Sequence, residues 1–246
     1  QRAFGERIMQ QAIDKYISEH SLGAFRPKAV LFDMDGVLYN SMPNHAVAWQ
    51  KSMEQFDIHM TADDAYATEG ARGVDTIKKM VKAQQHRDID EEEAQRMYDV
   101  KTSIFHEMPV AQIFDGVKEL MQKIKDCGMK IGVVTGSGQR PLIARLINDF
   151  GDFITEERIV TAYDVKNGKP APDPYLMGMQ KVGTKPCETI VVENAPLGVK
   201  AGVSAGSFTI AVNSGPLPDS ALAEQGANIV LPNIKYLADH WHEIVR

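Results

Sequence analysis

The run Lys28–Phe32 (KAVLF) is apolar after its first residue, with Pro27 before it and Gly36 shortly after. A short apolar run between turn residues predicts a strand buried on both faces. Ahead of it, Phe4, Ile8, Ile13 and Ile17 recur among polar positions at near-helical spacing. They predict an amphipathic helix over residues 4–20, packed on the rest of the chain. Between about residues 43 and 109 the β-branched runs disappear. Segments such as NHAVAWQKSMEQF, TADDAYAT, VDTIKKMVKAQQ and EEEAQRMYDVKTSIFHEM take over, and by propensity and period they predict about four helices.

Beyond residue 110 helical and strand patterns alternate. Helix Gly116–Lys125 leads to strand Lys130–Val134, and helix Arg140–Phe150 to strand Ile159–Thr161. Helix Pro174–Val182 leads to strand Thr189–Val192, and helix Leu197–Ser204 to strand Phe208–Val212. Helix Pro218–Glu224 leads to strand Asn228–Leu231, and a last helix follows. Repeated β-α units predict an α/β fold, a doubly wound parallel sheet with helices on both faces. Strand Lys28–Phe32 belongs to the same sheet. The helical stretch is therefore an insert. The expected division is a core of residues 1–41 and 110–246, whose first 25 residues are a helical extension, and an all-helical cap of residues 42–109.

With 246 residues, 43% of them hydrophobic, the chain has enough apolar material for a sizeable core. Its net charge of −6 and lack of a basic block disfavour nucleic acid and membrane surfaces as partners. Nothing in that total forbids a local cationic pocket. Cys127 and Cys187 match no metal-ligand spacing and read as reduced thiols. No apolar run approaches the roughly 18 residues of a membrane span, and the N-terminal segment lacks a secretory apolar stretch. A cytoplasmic, monomeric enzyme is the expectation.

Ligands of open α/β sheets bind beyond the carboxyl ends of the strands, so the residues after each strand carry the chemistry. After the first strand stand Asp33-Met34-Asp35-Gly36. After Lys130–Val134 stand Thr135-Gly136-Ser137-Gly138. Gly168-Lys169-Pro170 follows the third strand, and Glu193-Asn194 follows the fourth. In D-x-D, alternate residues of a strand can aim two carboxylates at one point, although Asp and Gly are also common turn formers. Glu193-Asn194 could complete an oxygen site for Mg²⁺, or simply cap the helix after Ala195-Pro196. The glycines at 136 and 138 let backbone N–H groups approach an anion at a helix N-terminus, yet a plain Gly-rich turn would look the same. Lys169 sits in a rigid GKPAPDP turn that would hold an ammonium in place.

Taken together and in this order, VLFDMDGVL, VVTGSG, GKPAPDPYL and VVENAPLGVKAG resemble the haloacid-dehalogenase-like phosphohydrolases over about residues 28–246. The chain is most similar to their β-phosphoglucomutase-like branch, which carries a helical cap after the first strand. The resemblance implies Asp33 as the nucleophile that forms an aspartyl-phosphate and Asp35 as general acid/base. It implies Thr135, the amides of Gly136 and Ser137, and Lys169 as the phosphate grip. Mg²⁺ would be bound by Asp33, the Asp35 carbonyl and the Glu193-Asn194 loop. Many relatives carry Asp where this chain has Asn194, which removes a charge from the metal; Glu69 of the cap is a candidate to restore it.

The cap would select the substrate, a small phosphorylated metabolite. His45 and Trp49 align with a His and a Trp common in this branch. They share a helix face at i and i+4. His45 could touch Asp35 or the substrate, and Trp49 reads as core. Met42 stands where relatives often have Glu. Glu69-Gly70-Ala71-Arg72-Gly73 resembles the specificity loop, where Arg72 could grip a second phosphate. Arg96 and Lys101 are possible counterparts of the basic cap residues of mutases. Phosphatase, phosphomutase and inorganic pyrophosphatase all remain open, with a non-catalytic binding protein least favoured.

Overall fold

A computed structural model describes residues 2–138 and 140–245; the side chains of residues 2–6 and 140, Phe4 among them, lie outside that description. Helix α1 (Arg2–Glu19) precedes β1 (Ala29–Phe32). Four helices follow: α2 (Met42–Glu54), α3 (Ala62–Ala67), α4 (Gly73–Gln85) and α5 (Glu91–His106). The chain then alternates through α6 (Val117–Asp126), β2 (Lys130–Val134), α7 (Arg140–Phe150), β3 (Ile159–Val160), α8 (Asp173–Val182) and β4 (Thr189–Glu193). It ends with α9 (Pro196–Ser204), β5 (Phe208–Val212), α10 (Asp219–Ala223), β6 (Ile229–Leu231) and α11 (Ile234–Asp239). The expected strands and helices are present, with ends moved by one or two residues, as helix and strand ends commonly do.

The six strands form one sheet in the order β3-β2-β1-β4-β5-β6, every neighbouring pair parallel. Chain order reverses direction at β1, with β2 on one side and β4 on the other, which is where such sheets open a crevice at their carboxyl edge. Alternate residues face opposite layers. Val30 and Phe32 enter a cluster with α6 residues Leu120 and Met121, while Ala29 and Leu31 meet α8 residues Tyr175 and Met179. All four β1 residues are fully buried. Fully burying a Leu- or Phe-sized side chain is worth about 1.5–3 kcal/mol, so the central strand is firmly placed. Asp33 is fixed just beyond its end.

The contact face of α1 is Met9, Ile13 and Tyr16, spaced i, i+4, i+7. The Tyr16 hydroxyl also donates to Gly206 O over 2.7 Å. Ile8, expected on that face, is 40% exposed, because it sits about 100° from Met9 around the helix.

Helices α2–α5 enclose a core of their own, including Trp49, Met53, Ile77, Val81 and Met97. We call this unit the cap. The chain crosses into it and out of it side by side. Asn40 N–H donates to Gln112 O, and Phe114 N–H donates to Leu38 O, around an antiparallel bridge between Tyr39 and Ile113.

Candidate active site

Asp33, Thr135, Lys169, Glu193 and Asn194, delivered by four separate segments at the carboxyl edge, are all buried. Lys169 Nζ donates to Asp33 Oδ1 over 2.9 Å, to Glu193 Oε1 over 2.7 Å and to Val134 O over 3.0 Å. With three acceptors, its ammonium is fully satisfied in a dry site. Burial opposes its charge, but Asp33 and Glu193 outweigh it and hold the pKa above the ordinary lysine value. Burial and the nearby Glu193 charge push Asp33 up to about 7, against the pull of Lys169.

Glu193, expected among the metal ligands, meets protein donors here. Its Oε1 accepts from Lys169 and also from the Tyr175 hydroxyl, at 2.5 Å, and its Oε2 faces the Asn194 N–H at 3.3 Å. Tyr175 is a contact of the site that sequence reasoning missed. It stands in the quoted GKPAPDPYL segment, but a tyrosine two residues after an aspartate carries no spacing signal.

Among the described residues, three buried side-chain oxygens have no hydrogen-bond partner in the protein: Asp33 Oδ2, Glu69 Oε1 and Asn194 Oδ1. Glu69 reaches them from the cap, since its Oε2 accepts from Asn194 Nδ2 over 2.9 Å. Buried acceptors are costly unless something electropositive meets them. Burial, followed by the charges of Asp33 and Glu193, holds the Glu69 pKa well above the usual carboxylate range. Among the described residues no group of three His, Cys, Asp or Glu side chains is disposed to hold a metal; this set uses an amide oxygen in place of one carboxylate. Gly36, at φ +81°, leaves room for it, since a Cβ there would overlap the Asn194 amide.

Asp35 points the other way, toward the cap. Its Oδ1 accepts from Ser41 Oγ at 2.5 Å and faces His45 Nε2 at 3.0 Å. Burial would raise the Asp35 pKa, but His45 and Ser41 outweigh it and lower it to about 2. Ser41 was also missed, although Ser-x-Pro at a helix start is a recognisable signal. The His45 ring stacks on Phe105 at 4.0 Å between centroids, and its Nδ1 lies 2.7 Å from Lys101 Nζ. An ammonium can only donate, so Nδ1 accepts and Nε2 carries the proton offered to Asp35. Burial, then the Lys101 charge, lowers the His45 pKa and keeps the ring neutral.

Lys101 is therefore the basic cap residue that enters the site. It is buried, and Trp49 and Phe105 each hold it at 5.1 Å from their ring centroids. Burial pushes its pKa down to about 8. Trp49 belongs both to the cap core and to the cavity wall. Arg96 does not reach the site, being exposed and paired with Glu92 at 3.2 Å.

Thr135, Gly136 and Ser137 line the cavity, and the Ser137 N–H donates to Thr135 Oγ1 over 3.1 Å. Gly70, at φ +86°, packs its carbonyl against Gly136, where a Cβ would come within 2.7 Å of it. Arg72 is turned away. Its guanidinium makes two bonds to Asp75, at 2.9 and 3.0 Å, because a carboxylate one helical turn on is a closer partner than the cavity. The cavity between Asp33, Asp35, Lys101 and the Glu69–Gly70 loop measures about 60 Å³.

A buried carboxylate, its lysine and an orphaned oxygen set at the switch point coincide with a family match. The model of the haloacid dehalogenase-like hydrolases matches residues 30–212. This chain belongs to that family. Among its relatives, the Escherichia coli hexitol phosphatase A is 32% identical over 77% of this chain and 84% of that protein. The Bacillus subtilis β-phosphoglucomutase is 26% identical over 76% of this chain and 84% of its own. A solved structure from Bacteroides vulgatus, provisionally named a β-phosphoglucomutase, is 44% identical. It covers 97% of both chains with a TM-score of 0.93. The haloacid dehalogenase-like chain is thus a phosphohydrolase or phosphomutase built on an α/β core.

Proposed function

We propose that this enzyme performs Mg²⁺-dependent phosphoryl transfer on a small phosphorylated metabolite, through an aspartyl-phosphate on Asp33. The observation that carries it is Asp33 itself. One oxygen is held by Lys169 at 2.9 Å while the other is buried and unpartnered at the cavity. Oδ2 attacks phosphorus as the P–O bond to the leaving group breaks, and the leaving oxygen takes its proton from the Asp35 carboxyl group. Lys169, Thr135 and the Gly136 N–H hold the charge of the moving phosphoryl oxygens. Asp35 then takes the proton of the attacking water or sugar hydroxyl, and the acyl-phosphate P–O bond breaks to free Asp33. Ser41 and His45 fix the orientation of Asp35 throughout.

The donor set fits Mg²⁺, which prefers oxygen ligands. Asp33, through the carboxylate oxygen that does not attack, would hold it together with Asn194 Oδ1, Glu69 Oε1 and the Asp35 carbonyl. When bound it supplies positive charge opposite the phosphate.

A second reading, inorganic pyrophosphate as substrate, is favoured by the cavity of about 60 Å³. Sites for drug-sized ligands run to about 300–1,000 Å³, so a cavity of this size suits a compact anion better than a hexose phosphate. One panel separates the readings: phosphate release from sugar phosphates and from pyrophosphate, alongside isomerisation of β-glucose 1-phosphate. Isomerisation exceeding release rejects a plain phosphatase, and retained turnover in Asp33→Asn rejects the shared mechanism.

A further inference from the structure

Behind the Glu69–Gly70 loop, on the side away from Asp33, lies a second cleft of about 350 Å³, within the usual range of small-ligand sites. One wall is cap, through Ala71, Arg72 and Lys79. The other is core, through Lys166, Gly168 and Leu197. Its charge runs against that of the protein. The chain carries −6 overall, yet Arg72, Lys79 and Lys166 meet here with a single lining carboxylate, Asp75, already bonded twice to Arg72. Glu91, at 3.9 Å from Arg72, is the further acidic partner of that guanidinium. Lys79 and Lys166 are exposed and form no ion pair among the described residues. Lys169 contributes only its stem, because its ammonium faces Asp33. Leu197, Pro170 and Ala71 give the floor an aliphatic character.

We propose that this cleft binds a small organic anion, a phosphate or carboxylate group on a short carbon frame, and that the bound anion ties the cap to the core. Thr68, Ala71 and Thr76 line both this cleft and the active-site cavity. A ligand held between Lys79 and Lys166 therefore braces the loop that brings Glu69 to Asn194. Two cations from opposite walls, on an aliphatic floor, suit an anion that bridges them better than a cation or a neutral sugar. The inference concerns binding alone and stands whichever substrate the catalytic site takes.

Isothermal titration of the full chain with phosphonoacetate, whose C–P bond is not a phosphoester, and separately with citrate, tests it. Saturable binding of either probe to the wild type is expected. It should weaken at least about tenfold, the effect of losing one good ionic contact, in the double variant Lys79→Ala/Lys166→Ala. Both lysines are exposed, so the variant should fold and keep its basal turnover. The same probe should raise the melting temperature of the wild type by mass action, and not that of the variant. Phosphonoacetate binding marks a phosphate-type ligand; citrate binding alone marks a carboxylate. Binding of neither probe up to about 10 mM, where affinity falls below about 3 kcal/mol, or equal binding by the double variant, overturns the proposal.

Discussion

The side-chain amide of Asn194, just past β4, donates to Glu69 Oε2 of the cap over 2.9 Å. Core and cap thus share one oxygen cluster, to which the core gives Asp33 and Asn194 and the cap gives Glu69. Replacing Glu69 with Gln keeps the size and removes the charge. Apparent Mg²⁺ affinity should fall by roughly tenfold or more, the scale of one charge-assisted contact. Mg²⁺ titrations of turnover and of melting temperature check this, and an unchanged midpoint in both would sink the role of Glu69.

Lys169 neutralises two buried carboxylates at once. Replacing it with Met leaves Asp33 and Glu193 facing each other without a cation. Breaking a buried pair in this way costs about 3–5 kcal/mol. Chemical denaturation without Mg²⁺ should show a loss of that order. A loss under about 1 kcal/mol would mean that the pair is not held as described.

Tyr175→Phe removes one hydroxyl and leaves the packing of α8 intact. Glu193 Oε1 loses its second donor, at a cost of about 1–3 kcal/mol in stability. Lys169 also loses part of its anchor, so kcat should drop while KM for the substrate moves little. Wild-type kcat in the variant would show that the phenol does not steady the lysine.

Lys101 titrates at about 8 because it is buried. Above that pH it loses the proton that it donates to His45 Nδ1, and the chain of contacts holding Asp35 relaxes. Activity should therefore fall on the alkaline side with an apparent pKa near 8. The residual activity of Lys101→Met should lack that limb. A limb that persists in the variant belongs to another group.

Much of this was legible in the sequence because strands and their following loops are local signals. Ala29–Phe32 announces a doubly buried strand, and Asp33 and Asp35 follow it in the chain as they do in space. What could not be read was direction. Glu193 stands next to Asn194 in sequence, yet the two side chains part company, one to Lys169 and Tyr175, the other to Glu69. Arg72 lies within three residues of Glu69 but turns to Asp75. Lys101 sits 56 residues from His45, so its contact depends on the packing of α5 against α2 rather than on any local pattern.

The side-by-side crossing at Tyr39 and Ile113 makes the four cap helices a detachable module. To the sheet, everything between Asn40 and Gln112 is one loop whose ends already touch. An ancestor could have lengthened, shortened or exchanged that loop without shifting a single strand register. Asp33 and Lys169 would stay fixed while the part of the cavity wall that the cap contributes changed.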